Sequence, residues 1–89
     1  HIDMIVDKKI SEINEMLKEK NVTLTLSPEA RTWLRDRGYQ PDMGARPLQR
    51  VVNDHIKKPL SKEILFGKLI DGGQVLINIE NDEVRFEYR

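Results

Sequence analysis

The chain contains no cysteine, which excludes a disulfide framework, thiolate metal sites and thiol catalysis. It has no apolar run near the roughly 20 residues of a membrane span, and we expect no secretory signal from its first residues. It has no net charge, because 15 basic residues cancel 15 acidic ones, and so it lacks the broad cationic field that binding to nucleic acid or anionic membrane requires. Histidine is nearly absent: His1 stands at the first position, and His55 falls on a predicted helix without partners in sequence. No HExxH, no paired metal ligands and no glycine-rich phosphate loop occur. Asp42, Asp54, Glu63 and Asp71 are scattered singly and read as solvated charges, and Asn21-Val22-Thr23 reads as the start of a strand rather than a glycosylation site. Eighty-nine residues with 38% hydrophobic side chains support one core and one domain. The chain opens without methionine, and we expect residues 1–89 to be one domain excised from something longer.

Charge is uneven along the chain. Residues 1–20 carry four lysines against five acids, a net of −1, and residues 59–89 carry four cations against six acids, a net of −2. Residues 28–58 carry seven cations against four acids, a net of +3. The cationic middle third also holds the most informative motif.

Ile2, Val6, Ile10, Ile13 and Leu17 recur at steps of three and four, with Met16 widening the stripe, which predicts an amphipathic helix ending near Asn21. Residues 22–26 alternate as a half-buried strand. Ser27-Pro28-Glu29 is a helix start: a serine cap, a proline in the first turn and a carboxylate at the positive dipole end. Ala30, Trp33 and Leu34 mark the inner side of that helix with Arg37 at its edge, and Gly38 is expected to stop it in a left-handed conformation. Pro47 suits the first turn of a third helix with core positions Leu48, Val51, Val52, His55 and Ile56, broken or kinked at Pro59. A short helix around Leu60, Ile64 and Leu65 then ends at Gly67, and Asp71-Gly72-Gly73 forms a turn. Residues 75–79 and 84–88 alternate as a hairpin around Asn81-Asp82, with Leu76 as an apolar exception on the outer face. The fold class is α+β: about four helices, one of them short, on a small three-stranded sheet ending in the hairpin.

Within Gly38-Tyr39-Gln40-Pro41-Asp42-Met43-Gly44-Ala45-Arg46-Pro47-Leu48, Gly44-Ala45 permits a close backbone turn and Pro47 fixes a helix start. Arg46 therefore falls at or beside the N-cap, where a cation is disfavoured by about 0.3–1 kcal/mol. The penalty reverses if an anion shares the site with the helix amides and the guanidinium. Arginine's fork suits phosphate oxygens, and Arg50 one turn on adds to the field. The local pattern leaves a second reading open, in which Arg46 pairs with Asp42 or Asp71 or extends into water.

Gly38-Tyr39, Pro41, the block Gly44-Ala45-Arg46-Pro47-Leu48-Gln49-Arg50-Val51-Val52 and Pro59-Leu60 together resemble the C-terminal small subdomain of Clp-type AAA+ unfoldases, most closely the second ATPase module of ClpB-like protein disaggregases. The resemblance spans essentially the whole chain, and its most specific part is Gly-Ala-Arg-Pro-Leu. Gln40 stands where the family usually has aspartate, and Met43 where it usually has an aromatic. The resemblance implies an AAA+ small, or lid, subdomain in which Arg46 is the sensor-2 residue reaching the γ-phosphate of ATP on the adjacent large subdomain. Gly44, Ala45, Pro47 and Arg50 support it. It implies ATP or ADP as ligand, with magnesium held by the large subdomain and not by this chain. The phosphate loop and catalytic acids also belong there, so this chain is not an enzyme alone. Implied partners are the large subdomain of the same chain and of the neighbouring subunit in a hexamer, with Leu76 and the hairpin as candidate contacts. The isolated domain is expected to be a monomer without membrane or nucleic-acid binding. Bacterial cytoplasm and mitochondrial matrix both suit it. Two other classes remain open: a small nucleic-acid module using the basic middle third, which lacks a Gly-x-x-Gly clamp and RNP-type aromatics, and a pure protein-interaction or oligomerisation domain.

Overall fold

The computed structural model describes residues 2–89, and His1 and the side chain of Ile2 lie outside the described residues. The elements run α1 (Ile2–Leu17), β1 (Val22–Leu26), α2 (Pro28–Gly38), α3 (Arg46–Val52), a π turn (Asn53–Lys57), α4 (Lys58–Phe66), β2 (Gly73–Glu80) and β3 (Glu83–Tyr88). The strand order is β1-β2-β3. β1 pairs parallel to β2, with Val22 opposite Gly73 and Leu26 opposite Ile77, and β2 pairs antiparallel to β3. The helices cover one face of this mixed sheet. Val22, Leu24, Val75 and Ile77 point into the core, where they meet Val6, Ile13 and Leu17 of α1, Ala30 and Leu34 of α2, and Leu48, Val52, Ile56 and Leu60 beyond. Thr23 and Thr25 face outward, and half-buried Leu76 sits on that open face between its cross-strand neighbours Thr25 and Glu87.

Local chemistry sets the boundaries. α1 tightens into a 3₁₀ turn over Lys18–Lys20, and Asn21 ends it in the left-handed region at φ 59°. Ser27 Oγ accepts from Ala30 N–H at 3.0 Å and donates to Asn78 Oδ1 at 2.9 Å, so one hydroxyl both caps α2 and ties it to β2. The open edge of β1 is closed by a side chain: Asn14 of α1 accepts from Leu24 N–H at 2.9 Å and donates to Leu24 C=O at 3.0 Å. Asn81 and Asp82 adopt φ 54° and 61° in the hairpin turn, as their tolerance of that region predicts.

Several expectations need correction. Met16 does not widen the buried stripe of α1, since it is 60% exposed. Gly38 is not a left-handed stop; it is the last, buried residue of α2, and the residue after it is extended. It is small because α3 crosses there: a Cβ on Gly38 would lie 2.6 Å from Leu48 Cδ1 and 3.0 Å from Leu48 Cα. His55 is exposed rather than a core position, its ring edge-on to Trp33 at 5.1 Å.

Pro59 neither ends nor breaks the third helix. A proline ring clashes with the carbonyl four residues back. The backbone avoids this by widening beforehand into a turn closed by Lys58 N–H to Asn53 C=O, an i→i+5 bond. α3, the π turn and α4 thereby form one continuous rod, which leaves three helical bodies on the sheet among the described residues. The wider turn has a second effect. Buried Leu48, Val52, Ile56 and Leu60, with half-buried Ile64, recur every four residues, a period that drifts around a regular 3.6-residue helix. One wide turn absorbs much of the drift and keeps the apolar row facing the core.

Candidate functional site

The Arg46 corner is built by three local constraints. The loop ahead of it closes on itself, with Gln40 N–H donating to Gly44 C=O at 2.9 Å and Gly44 N–H to Gln40 C=O at 2.6 Å. Gly44 stands at φ +64°, and a Cβ there would meet nothing within 4 Å, so glycine serves the backbone conformation, not packing. Ala45 is the N-cap of α3 without a side-chain cap bond, Arg46 is the first helical residue, and Pro47 follows. Leu48 then drops fully into the core against Gly38. Lys9 of α1 donates to Gln49 Oε1 at 2.6 Å and ties down the same turn.

Arg46 is exposed. Its guanidinium makes no ion pair among the described residues, with Asp42, Asp71 or any other acid. Arg50 is exposed and equally unpaired among them. The contrast with α2 is sharp, since Arg31, Arg35 and Arg37 pair with Asp7, Asp3 and Asp82. The helix amides do not join Arg46 as expected. Arg46 N–H points to Met43 C=O at 3.4 Å, Pro47 has no N–H, and Leu48 N–H is bonded to Ala45 C=O at 3.1 Å. An anion at this corner is therefore met by the guanidinium and the dipole, not by a cradle of open amides. Tyr39 and Met43 flank the loop, 48% and 45% exposed. No cluster of three metal-ligating side chains occurs among the described residues.

A second polar arrangement was not visible in the sequence. Trp33 Nε1–H donates to Asp82 Oδ1 at 3.0 Å, Arg37 donates to Asp82 Oδ2, and the Arg37 guanidinium lies 4.5 Å from the Trp33 ring centre. The hydrogen bond from Arg37, then that from Trp33, holds the Asp82 carboxyl below its ordinary pKa. The arrangement pins the hairpin turn to α2. The four-residue step from Trp33 to Arg37 signals their stacking, but nothing local signals Asp82.

The two-layer α+β fold is consistent with an AAA+ small subdomain, and similarity to known proteins shows the class: this is a C-terminal small subdomain of a Clp-type AAA+ protein. Residues 1–77 match the family described as the C-terminal, D2-small domain, of ClpB protein, and the chain belongs to that family. It is 46% identical over 83 residues to a ClpA homolog protein of Fuscovulum blasticum, covering 93% of this chain and 10% of that protein. It is 40% identical over 86 residues to the chaperone protein ClpB of Lactiplantibacillus plantarum, covering 97% of this chain and 10% of that one. To the chaperone protein ClpB of Brucella suis it is 39% identical over 82 residues, 92% of this chain and 9% of that one. The chain spans about a tenth of the length of the curated relatives it matches.

Proposed function

We propose that this domain is the lid of an ATP-driven protein disaggregase, with Arg46 as its nucleotide-sensing residue. The observation that carries the reading is the outward, unpaired guanidinium of Arg46 on a rigid mount made by Gly38, Leu48 and Pro47. ATP bound to a large subdomain supplies a terminal phosphoryl group whose oxygens gather charge during transfer. Arg46 answers that charge, Arg50 adds to the local field, and Gly44 and Ala45 give the backbone its close turn. Because the mount is stiff, a nucleotide-dependent contact at Arg46 moves the whole domain, a hinge rotation of the kind lids make. Magnesium and the catalytic acids reside outside this chain, which has no hydrolytic activity alone. The large subdomains of the same and the neighbouring subunit are its partners in a hexameric ring. The isolated domain is a monomer that binds neither membrane nor nucleic acid. The bacterial relatives favour the cytoplasm over the mitochondrial matrix as its place of action.

The test is Arg46→Ala in the full-length protein. The domain should stay folded, since an exposed, unpaired side chain changes stability by no more than about 0.5 kcal/mol. ATP turnover should fall at least about tenfold, and at most by the ~10³–10⁵-fold that a fully engaged arginine contributes to phosphoryl transfer. Arg46→Lys should be nearly as damaging, because a point charge cannot reproduce the bidentate fork. Normal turnover with unchanged nucleotide affinity refutes the sensor role, and a benign Arg46→Lys beside a damaging Arg46→Ala points to a protein ion pair instead.

A further inference from the structure

The four-residue repeat that keeps the core row of the rod in line also aligns its outer side. Arg46, Arg50, Asp54, Lys58 and Lys62 form the row opposite the core, and Gln49, Asn53, Lys57 and Ser61 form the row beside it. The rod carries five cations against two acids, Asp54 and Glu63. Arg50, Lys57 and Lys62 make no ion pair among the described residues, and Lys58 meets Asp54 at 3.4 Å with its own side chain 77% exposed. Where the two rows meet at the π turn lies a depression of about 410 Å³ lined by Asn53, Lys57, Lys58 and Ser61. Asn53 Oδ1 is buried there and has no hydrogen-bond partner among the described residues. A buried acceptor left unpaired costs about 1–3 kcal/mol, which a ligand with a donor recovers. π turns of this kind occur frequently at functional sites.

We infer that this strip, from Arg50 to Lys62, is a docking surface for an acidic peptide segment of a partner protein, anchored in the depression at the π turn. The partner's carboxylates meet Lys57, Lys58 and Lys62, with the Ser61 hydroxyl donating beside them. Its backbone N–H, or a side-chain donor, meets Asn53 Oδ1 once the half-buried Asn53 amide turns outward into the depression. That last contact selects the partner class. A phosphodiester linkage offers only acceptors and leaves Asn53 Oδ1 unsatisfied, whereas a peptide brings acceptors and donors together. The strip also carries Asp54 and no exposed aromatic row on which bases stack, both unfavourable to a nucleic-acid strand. The strip shares only Arg50 with the proposed nucleotide site, and its anchor at Asn53, Lys57, Lys58 and Ser61 lies outside that site, so the inference stands whether or not the nucleotide-sensing role does.

The experiment titrates the 89-residue chain, ¹⁵N-labelled, with an N-acetylated octaglutamate amide at about 150 mM salt, following backbone amide shifts. Saturable shifts are expected at Arg50, Asn53, Lys57, Lys58 and Lys62. Lys57→Gln with Lys62→Gln should weaken binding about tenfold, on the order of two exposed charge contacts. Asn53→Ala, which leaves every charge in place, should weaken it several-fold; plain charge attraction leaves that variant unaffected. Far-ultraviolet circular dichroism confirms that the variants are folded. The inference is overturned by an absence of shifts at millimolar peptide, by shifts centred elsewhere, or by full affinity in Asn53→Ala. It is equally overturned if an oligothymidylate or polyphosphate of matched charge binds the strip more tightly than the peptide.

Discussion

Replacing Gly38 with alanine tests whether the contact between α2 and the rod positions the Arg46 corner. The added methyl would lie 2.6 Å from Leu48 Cδ1, 2.9 Å from Leu48 Cβ and 3.0 Å from Leu48 Cα. The first conflict can be relieved by a rotamer change, but the other two involve atoms fixed by the backbone of α3. Leu48 is fully buried, with no empty side to retreat to. Overpacking of this kind costs about 1–3 kcal/mol, against up to about 1 kcal/mol gained from alanine's better helix propensity. A net loss of about 1–2 kcal/mol is expected, a fall in Tm of roughly 5–15 °C for a domain of this size. Thermal unfolding followed by circular dichroism measures it. Pairing the change with Leu48→Ala sharpens the assay, because the shortened side chain removes the Cδ1 conflict and leaves those at Cβ and Cα. The double variant should therefore show favourable coupling without full recovery. A Gly38→Ala protein as stable as the parent, with unshifted Leu48 methyl resonances, would refute the packing account.

Two further outcomes follow from side chains that join distant segments. Asn14→Ala leaves the Leu24 amide and carbonyl without their partner; a loss of about 1–2 kcal/mol in denaturant unfolding is expected, together with faster aggregation as the edge of β1 opens, and an unchanged midpoint would count against the clamp. The carboxyl of Asp82 is held below its ordinary pKa, so the stabilisation it brings is complete above the unfolded carboxylate value of about 3.9 and is lost as pH falls through the lower folded-state value. A ¹³C titration of the Asp82 carboxyl should give a midpoint below that of an unfolded reference peptide, and Arg37→Ala should raise it; a midpoint at or above the reference excludes the bond pattern.

Much of the fold is legible because its signals are local. Ser27-Pro28-Glu29 encodes a helix start within three residues, Asn81-Asp82 encodes a tight turn within two, and the alternation of residues 22–26 and 75–79 encodes which strand faces are buried. The features that escaped reading depend on pairs far apart. Gly38 suggests a left-handed stop until Leu48 is seen crossing above it. The link between Trp33 and Asp82 spans 49 positions and leaves no local trace. Pro59 reads as a break under the ordinary rule, although the repeat of Leu48, Val52, Ile56 and Leu60 already implied a wider turn before it. At the candidate site, Arg46 at the helix start is legible in the sequence, but its freedom from Asp42, which is held in the self-closed loop from Gln40 to Gly44, is not.

The parallel pairing of β1 with β2 makes residues 27–72 a single closed excursion, with Arg46 and the rod inside it. Knotting the two ends of so long a segment together is entropically slow, so the sheet's first and second strands should zip up late, after the helices between them have formed. The corner that carries Arg46 lies wholly inside this excursion and is held by contacts within residues 38–48, so it takes shape with the helices, and the late strand pairing then fastens it to the rest of the molecule.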